Sequence, residues 1–179
     1  MKIAAISGSL RAGSSNTAVL RASARLAPAG VEVIQFEGIA GLPFFNPDLD
    51  GETVPAPVQA MRQLIGNVEG LLISSPEYAR GVAGVLKNAL DWLVGSHEFP
   101  GKPIALINTS PRATHALEAL TLTLETMSAR IATEACVTLP LLGGGWDEHS
   151  ITADPAVAEP LRSAMEHFVA FISSVQAEA

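Results

Sequence analysis

The sequence predicts an α/β fold in which a five-stranded parallel sheet of order 2-1-3-4-5 lies between helices on both faces. Three observations carry the prediction. Short apolar runs alternate with segments of helical period along the chain. The runs Ile3-Ala4-Ala5-Ile6, Leu71-Leu72-Ile73 and Ile104-Ala105-Leu106-Ile107 are apolar throughout, as strands covered on both faces must be, so they belong inside the sheet. Val31-Glu32-Val33 alternates, and between Thr133 and Leu139 the residues Glu134, Cys136 and Thr138 alternate with Ala135 and Val137. These two segments are partly exposed and belong at the edges.

The elements follow in order. Strand one is Ile3–Ile6, and the helix over Asn16–Ala27 sets Val19, Leu20, Ser23, Leu26 and Ala27 on one face. Strand two is Val31–Gln35, followed by a Pro-, Asp- and Asn-rich loop from Leu42 to Pro57 and a helix from about Val58 to Ile65. Strand three is Gly70–Ser74. The next helix, about Gly84 to Val94, has a core stripe of Leu86, Leu90 and Leu93, with Trp92 off that stripe. Strand four is Ile104–Asn108, and Ala113, Ala116, Leu117, Leu120, Leu124 and Met127 repeat at helical spacing after it. Strand five is Thr133–Leu139, where Cys136 reads as a small buried residue. Asp154-Pro155 opens the last helix as cap and first-turn pair, and Pro160 predicts a kink or a late start. With strands two and five outermost, the order is that of a flavodoxin-like three-layer sandwich, whose ligands bind at the carboxyl ends of the strands, at the switch point between strands one and three.

Composition narrows the function classes. At 179 residues with 48% hydrophobic and 16% charged residues, the chain reads as one globular domain over 1–179. No apolar run approaches the ~18–20 residues of a membrane span, and the apolar run before Ser7 is too short for a secretory signal, so a cytoplasmic protein is expected. A single cysteine excludes an intramolecular disulfide, in keeping with a reducing compartment. The net charge of −7 argues against a nucleic-acid partner. Against that acidic background, Arg11, Arg80 and Arg112 fall one in each of the loops that follow strands one, three and four. An anionic ligand is the expectation.

The loops themselves specify chemistry. In Ser7-Gly8-Ser9-Leu10-Arg11-Ala12-Gly13-Ser14-Ser15-Asn16, glycines allow close backbone approach, Ser and Asn side chains gather at a helix amino end, and Arg11 adds a forked cation. That composition asks for a phosphate; the competing reading is an ordinary capped helix start with an exposed arginine. Gly-x-Gly-x-x-Gly, Gly-Lys-Ser/Thr, Gly-x-Ser-x-Gly and His-Glu-x-x-His motifs are absent from the sequence. The four histidines are widely spaced without cysteine partners, so no metal site is expected. Gly143 to His149 reads as a solvated surface loop, with a mobile loop near the site as the competing reading.

The second loop is specific. Ser75-Pro76-Glu77-Tyr78, followed by Gly84-Val85-Leu86-Lys87-Asn88-Ala89-Leu90-Asp91-Trp92, resembles the Pro-Glu-Tyr … Gly-x-Leu-Lys-Asn-Ala-x-Asp-Trp signature of the NADPH-dependent FMN reductase family, and Gly8-Ser9-Leu10-Arg11 with Ser15-Asn16 is similar to its phosphate loop. The family includes FMN, quinone, azo-dye and chromate reductases. The resemblance implies FMN as cofactor, with Ser9, Arg11, Ser15, Asn16 and Thr17 on its phosphate, and Pro76, Glu77 and Tyr78 on the ring, joined by Ser110 from the third loop. It also implies NADPH or NADH as hydride donor, a small-molecule electron acceptor, no catalytic triad because the flavin carries the chemistry, and a homodimer or homotetramer in which Trp92 faces a partner subunit. Many members have Asn, Ser and Pro where this chain has Ala79, Gly81 and Ala83. Asn88 is expected to bond the Pro-Glu-Tyr loop. Arg80 and Arg112 are expected on the rim, where they would meet the dinucleotide or an anionic acceptor; solvated surface arginines are the alternative. A non-enzymatic flavodoxin-like electron carrier is the second functional reading.

Overall fold

A computed structural model describes residues 1–51, 53–141, 143 and 145–178. Glu52 in the expected 42–57 loop and Gly144 in the expected Gly143–His149 loop lie outside these described residues. In chain order the elements are β1 (Lys2–Ser7), α1 (Ser15–Leu26), β2 (Glu32–Gln35), α2 (Ala56–Gly66), β3 (Gly70–Ser74), β4 (Glu77–Tyr78), β5 (Gly81–Val82), α3 (Gly84–Asp91), β6 (Pro103–Asn108), α4 (Thr114–Thr126), β7 (Arg130–Ile131), β8 (Val137–Thr138), α5 (Glu148–Ala153) and α6 (Pro155–Ala177). Short 3-10 turns cover Gly38–Gly41, Pro47–Leu49 and Thr133–Ala135.

The main sheet is parallel with order β2-β1-β3-β6-β7, and β8 also pairs with β6. This is the 2-1-3-4-5 order expected from strand polarity, with β6 as the fourth strand and β7 plus β8 as the fifth. Successive residues of the central strands feed opposite faces, as the period of two requires. Ile3, Ala5, Leu72, Ala105 and Ile107 pack with α1, α5 and α6, while Ala4, Ile6, Leu71, Ile73, Ile104 and Leu106 pack with α2, α3 and α4. Both layers are dry, which is why these strands carry no polar alternation. The contact of α6 with β3 is close: a Cβ on Gly70 would lie 2.7 Å from Ile172 Cδ1 and 2.9 Å from Phe168 Cζ.

Strand five and the end of α3 depart from expectation. Strand five is not continuous: Thr133–Ala135 forms a 3-10 turn between β7 and β8, which buries Ala135 against α6. Cys136 lies at the end of that turn, half-buried, with its Sγ accepting from the Leu106 amide at 3.4 Å, and burial pushes its thiol up. Gly143, Gly145, Asp147 and His149 are exposed, as a solvated surface loop requires, but the end of that stretch is already helix: Asp147 caps α5 in a reciprocal capping box with Ser150. Bonds to the Ser150 amide and hydroxyl hold the Asp147 carboxyl below its usual range. Helix α6 starts at Pro155 behind its Asp154 cap, as expected, and is continuous past Pro160, so of the two alternatives at that proline the late start does not occur.

The second departure concerns α3. Trp92 is fully buried and does not face outward: its Nε1 donates to the Pro43 carbonyl at 2.8 Å, and its ring meets Phe45 edge-on at 5.1 Å. Asn88 holds the same segment, accepting from the Phe45 amide at 2.8 Å and donating to the Pro43 carbonyl at 3.0 Å, and not the Pro-Glu-Tyr loop. Arg62 completes the clasp by donating to Asp50 and to the Trp92 carbonyl.

Candidate functional site

The loops after β1, β3 and β6 meet at the carboxyl ends of the three central strands, and one side chain joins them. Asn16, in the first turn of α1, accepts through Oδ1 from the Ser74 hydroxyl at 2.8 Å and the Thr109 hydroxyl at 3.2 Å. Gly8 makes the closest approach: its amide donates to the Ser74 carbonyl at 2.8 Å, and a Cβ there would stand 2.8 Å from Ser75 Cβ and 3.2 Å from Ser75 Cα.

The first loop is built from short-range bonds. Ser7 Oγ accepts from the Ser9 amide and lies 2.8 Å from Thr17 Oγ1; Ser9 Oγ accepts from the Arg11 amide; Ser14 caps α1 by accepting from the Thr17 amide at 3.4 Å. The Ser15 and Asn16 amides have no partner among the described residues, and the first turn of α1 has no acidic residue. These are the conditions for an anion at a helix amino end, where free N–H groups and the helix dipole act together. Among the described residues Arg11, Arg80 and Arg112 make no ion pair, so each of the three loops carries a cation without a carboxylate partner.

The second loop is a small hairpin. Strands β4 and β5 pair antiparallel outside the main sheet, and Ala79 and Arg80 between them both adopt positive φ, at 51° and 60°. Two consecutive left-handed residues are what a two-residue hairpin of the primed type requires, and Asn-Gly is the usual solution. Here an alanine and an arginine bear the strain, and Tyr78 is 59% exposed. In the third loop Asn108 donates to the Ser110 carbonyl at 2.8 Å and accepts from the Ser110 amide at 3.2 Å, while Ser110 Oγ accepts from the Arg112 amide.

The expected site residues divide between two concavities that share no lining residue. Asn16, Pro76, Glu77, Ser110 and Arg112 line one of about 300 Å³, together with Ser75, Asn108, Thr109 and Ala113. Ser9, Arg11 and Thr17 line a second of about 200 Å³, with Arg21, Gln35 and Glu37. Ser15, Tyr78 and Arg80 line neither. Ser75, Asn108 and Thr109 fall in the second and third loops, but sequence reasoning gave them no role of their own. Their signal was position alone, as polar residues at the ends of apolar strands. Among the described residues no group of three or more His, Cys, Asp or Glu is placed to hold a metal.

Fold and crevice together define a flavodoxin-like α/β protein with concavities lined by polar loops at its strand ends. The chain belongs to the NADPH-dependent FMN reductase family, whose model matches residues 1–140. Over 113 residues it is 44% identical to a 2-hydroxy-1,4-benzoquinone reductase of a Burkholderia species, a match covering 62% of this chain and 61% of that one. Over 112 residues it is 41% identical to an NAD(P)H-dependent FMN reductase of Pseudomonas aeruginosa, with 62% and 60% covered. The matched segment thus spans about 60% of the length of these curated relatives. A solved flavoenzyme NAD(P)H:(acceptor) oxidoreductase of Paracoccus denitrificans superposes with a TM-score of 0.76 at 28% identity, over 97% of both chains. No helix among the described residues is long and apolar enough to cross a membrane.

Proposed function

We propose that the chain is an NAD(P)H-dependent FMN oxidoreductase that passes reducing equivalents from a nicotinamide dinucleotide through FMN to a small-molecule acceptor such as a quinone. The observation that carries this reading is the start of α1, where a turn with unpartnered amides contributes Asn16 to the concavity of Pro76 and Glu77 and Thr17 to that of the unpaired Arg11. These residues fit FMN. Ser9, Arg11, Ser15, Asn16 and Thr17 would hold its phosphate, with the Asn16 oxygen committed to Ser74 and Thr109 and its amide nitrogen left to donate. Pro76, Glu77, Tyr78 and Ser110 would border the ring.

When bound, the flavin supplies the hydride chemistry. The chain's part is to fix the phosphate, hold the two walls of the crevice apart by a set distance and leave one side open to the donor and acceptor. Arg80 and Arg112 give that open side positive charge, which favours an anionic dinucleotide. Asn108 orders the third loop and so aims Ser110 and Arg112. The purified protein, incubated with FMN and NADPH under air, should oxidise NADPH well above the rate given by free FMN. A rate equal to that of free FMN would favour the electron-carrier reading.

The same reading makes the chain a homodimer or a homotetramer. Its support is Phe44, 91% exposed yet held in place because Pro43 and Phe45 on either side are pinned by Asn88 and Trp92. Beside it runs a groove of about 620 Å³ lined by Leu42, Phe45, Val85, Lys87, Asn88 and Asp91 among others. An exposed aromatic ring on the lip of an apolar groove, next to a Lys87–Asp91 pair already neutralised within the chain, is the kind of patch a twofold axis can bury against its own copy. Sedimentation should show Phe44→Glu as a smaller species than the parent.

A further inference from the structure

The hairpin that would border the flavin ring stands apart from the main sheet, and among the described residues a single hydrogen bond ties residues 77–82 to the body of the protein. Glu77 Oε2 accepts from the Ala116 amide at 2.9 Å. Ala116 is the third residue of α4, and Ala113 at the cap position of that helix has no side chain that could accept. Glu77 therefore supplies, from a different loop, the carboxylate that the amino end of α4 lacks, at the place where the helix dipole favours negative charge. This bond joins the two walls of the larger concavity directly, in addition to the Asn16 bridge at their base, since Pro76 and Glu77 form one side and Ser110, Arg112 and Ala113 lead into α4 on the other.

We propose that Glu77 is a positioning residue, which sets the width of the crevice by clamping the hairpin to the first turn of α4, and that its side chain is not a ligand of the flavin. The clamp itself does not depend on the flavin reading; only its effect on the ring rests on that reading. A second feature makes the clamp necessary. Ala79 and Arg80 hold left-handed backbone angles that non-glycine residues adopt at a cost, so the turn would relax if it were not held at its base.

The test uses the apoprotein and needs no ligand. Arg80 lies at the exposed hairpin tip and offers a trypsin site whose cleavage reports opening of this hairpin. In Glu77→Ala, limited trypsinolysis mapped by mass should cut after Arg80 on the order of ten-fold faster than in the parent, because a hydrogen bond to a charged group is lost. Cleavage at the other sites and the far-ultraviolet circular dichroism should not change. Glu77→Gln keeps an acceptor oxygen and should restore the parent's rate. With flavins added, Glu77→Ala should lose affinity for FMN and riboflavin by the same factor, because the ring half of the site is loosened and the phosphate half is not. Equal cleavage after Arg80 in parent and Glu77→Ala would overturn the clamp, as would a Glu77→Gln variant as labile as the alanine. If neither flavin binds the parent, the function proposed above fails while the proteolysis result still decides the clamp.

Discussion

Asn16 accepts a hydrogen bond from Ser74 at 2.8 Å, so the amino end of α1 is fastened to the carboxyl end of the neighbouring strand β3, and the same oxygen reaches Thr109 beyond β6. A residue that looks from sequence like a phosphate ligand is thus also the pin of the three loops. The two roles separate by substitution. Asn16→Ala leaves two buried hydroxyls without an acceptor and should cost about 1–3 kcal/mol of stability. Asn16→Asp keeps the acceptor but adds a negative charge where phosphate would bind, so it should melt close to the parent and bind FMN much more weakly, with riboflavin less affected. Thermal melts and flavin titrations of both variants check this; an Asn16→Asp protein that binds FMN as the parent does would remove phosphate from this position.

Gly8→Ala places a methyl group against Ser75, including its backbone Cα at 3.2 Å. Backbone cannot rotate away as a side-chain tip can, so strands β1 and β3 must separate locally. The expected loss is about 1–3 kcal/mol, together with weaker FMN binding. Chemical denaturation and the same titration measure the two effects, and a variant of parental stability would mean that the loop yields more easily than its packing implies.

The positive φ angles at Ala79 and Arg80 predict a gain instead of a loss. Asn tolerates the left-handed region better than Ala, so Ala79→Asn should stabilise the hairpin by about 0.5–1 kcal/mol, and cleavage after Arg80 should slow. Faster cleavage would contradict the assignment of strain to this turn.

The fold was legible because its signals are local. Continuous apolar runs marked β1, β3 and β6 as interior, and the helix faces of α1 and α4 followed from spacing. Strand five was misread because Thr133 to Leu139 alternates convincingly, yet Ala135 packs against α6, and that contact turns the chain into a 3-10 turn that no pattern of period two reveals. Trp92 was misplaced because the segment around Pro43 and Phe45 covers the helix face on which it lies, a contact from far along the chain that no helical stripe reveals. The partners of Asn88 and Glu77 are equally non-local: one reaches Pro43 and Phe45, the other Ala116. Sequence placed the expected site residues on the segments that follow β1, β3 and β6; it did not show that they divide between two concavities, or that Asn16 and Glu77 spend their oxygens on the protein itself.

Arg80 and Arg112 should set the choice of dinucleotide. If they engage the adenosine 2′-phosphate, NADPH is preferred over NADH, and the double alanine variant should lose that preference while FMN affinity stays at the parental value. Steady-state kinetics with both nucleotides measure the ratio, and an unchanged ratio in the double variant leaves the two arginines as solvated surface residues.

The central claim, that the amino end of α1 and Arg11 form an FMN phosphate site, is tested most directly by titrating FMN and riboflavin into the parent and into Arg11→Ala. A charged hydrogen bond contributes about 1.5–3 kcal/mol, so the parent should bind FMN more tightly than riboflavin, and the variant should lose about ten-fold or more for FMN with riboflavin affinity and thermal stability unchanged. Equal binding of the two flavins by the parent, undisturbed in Arg11→Ala, would contradict the account.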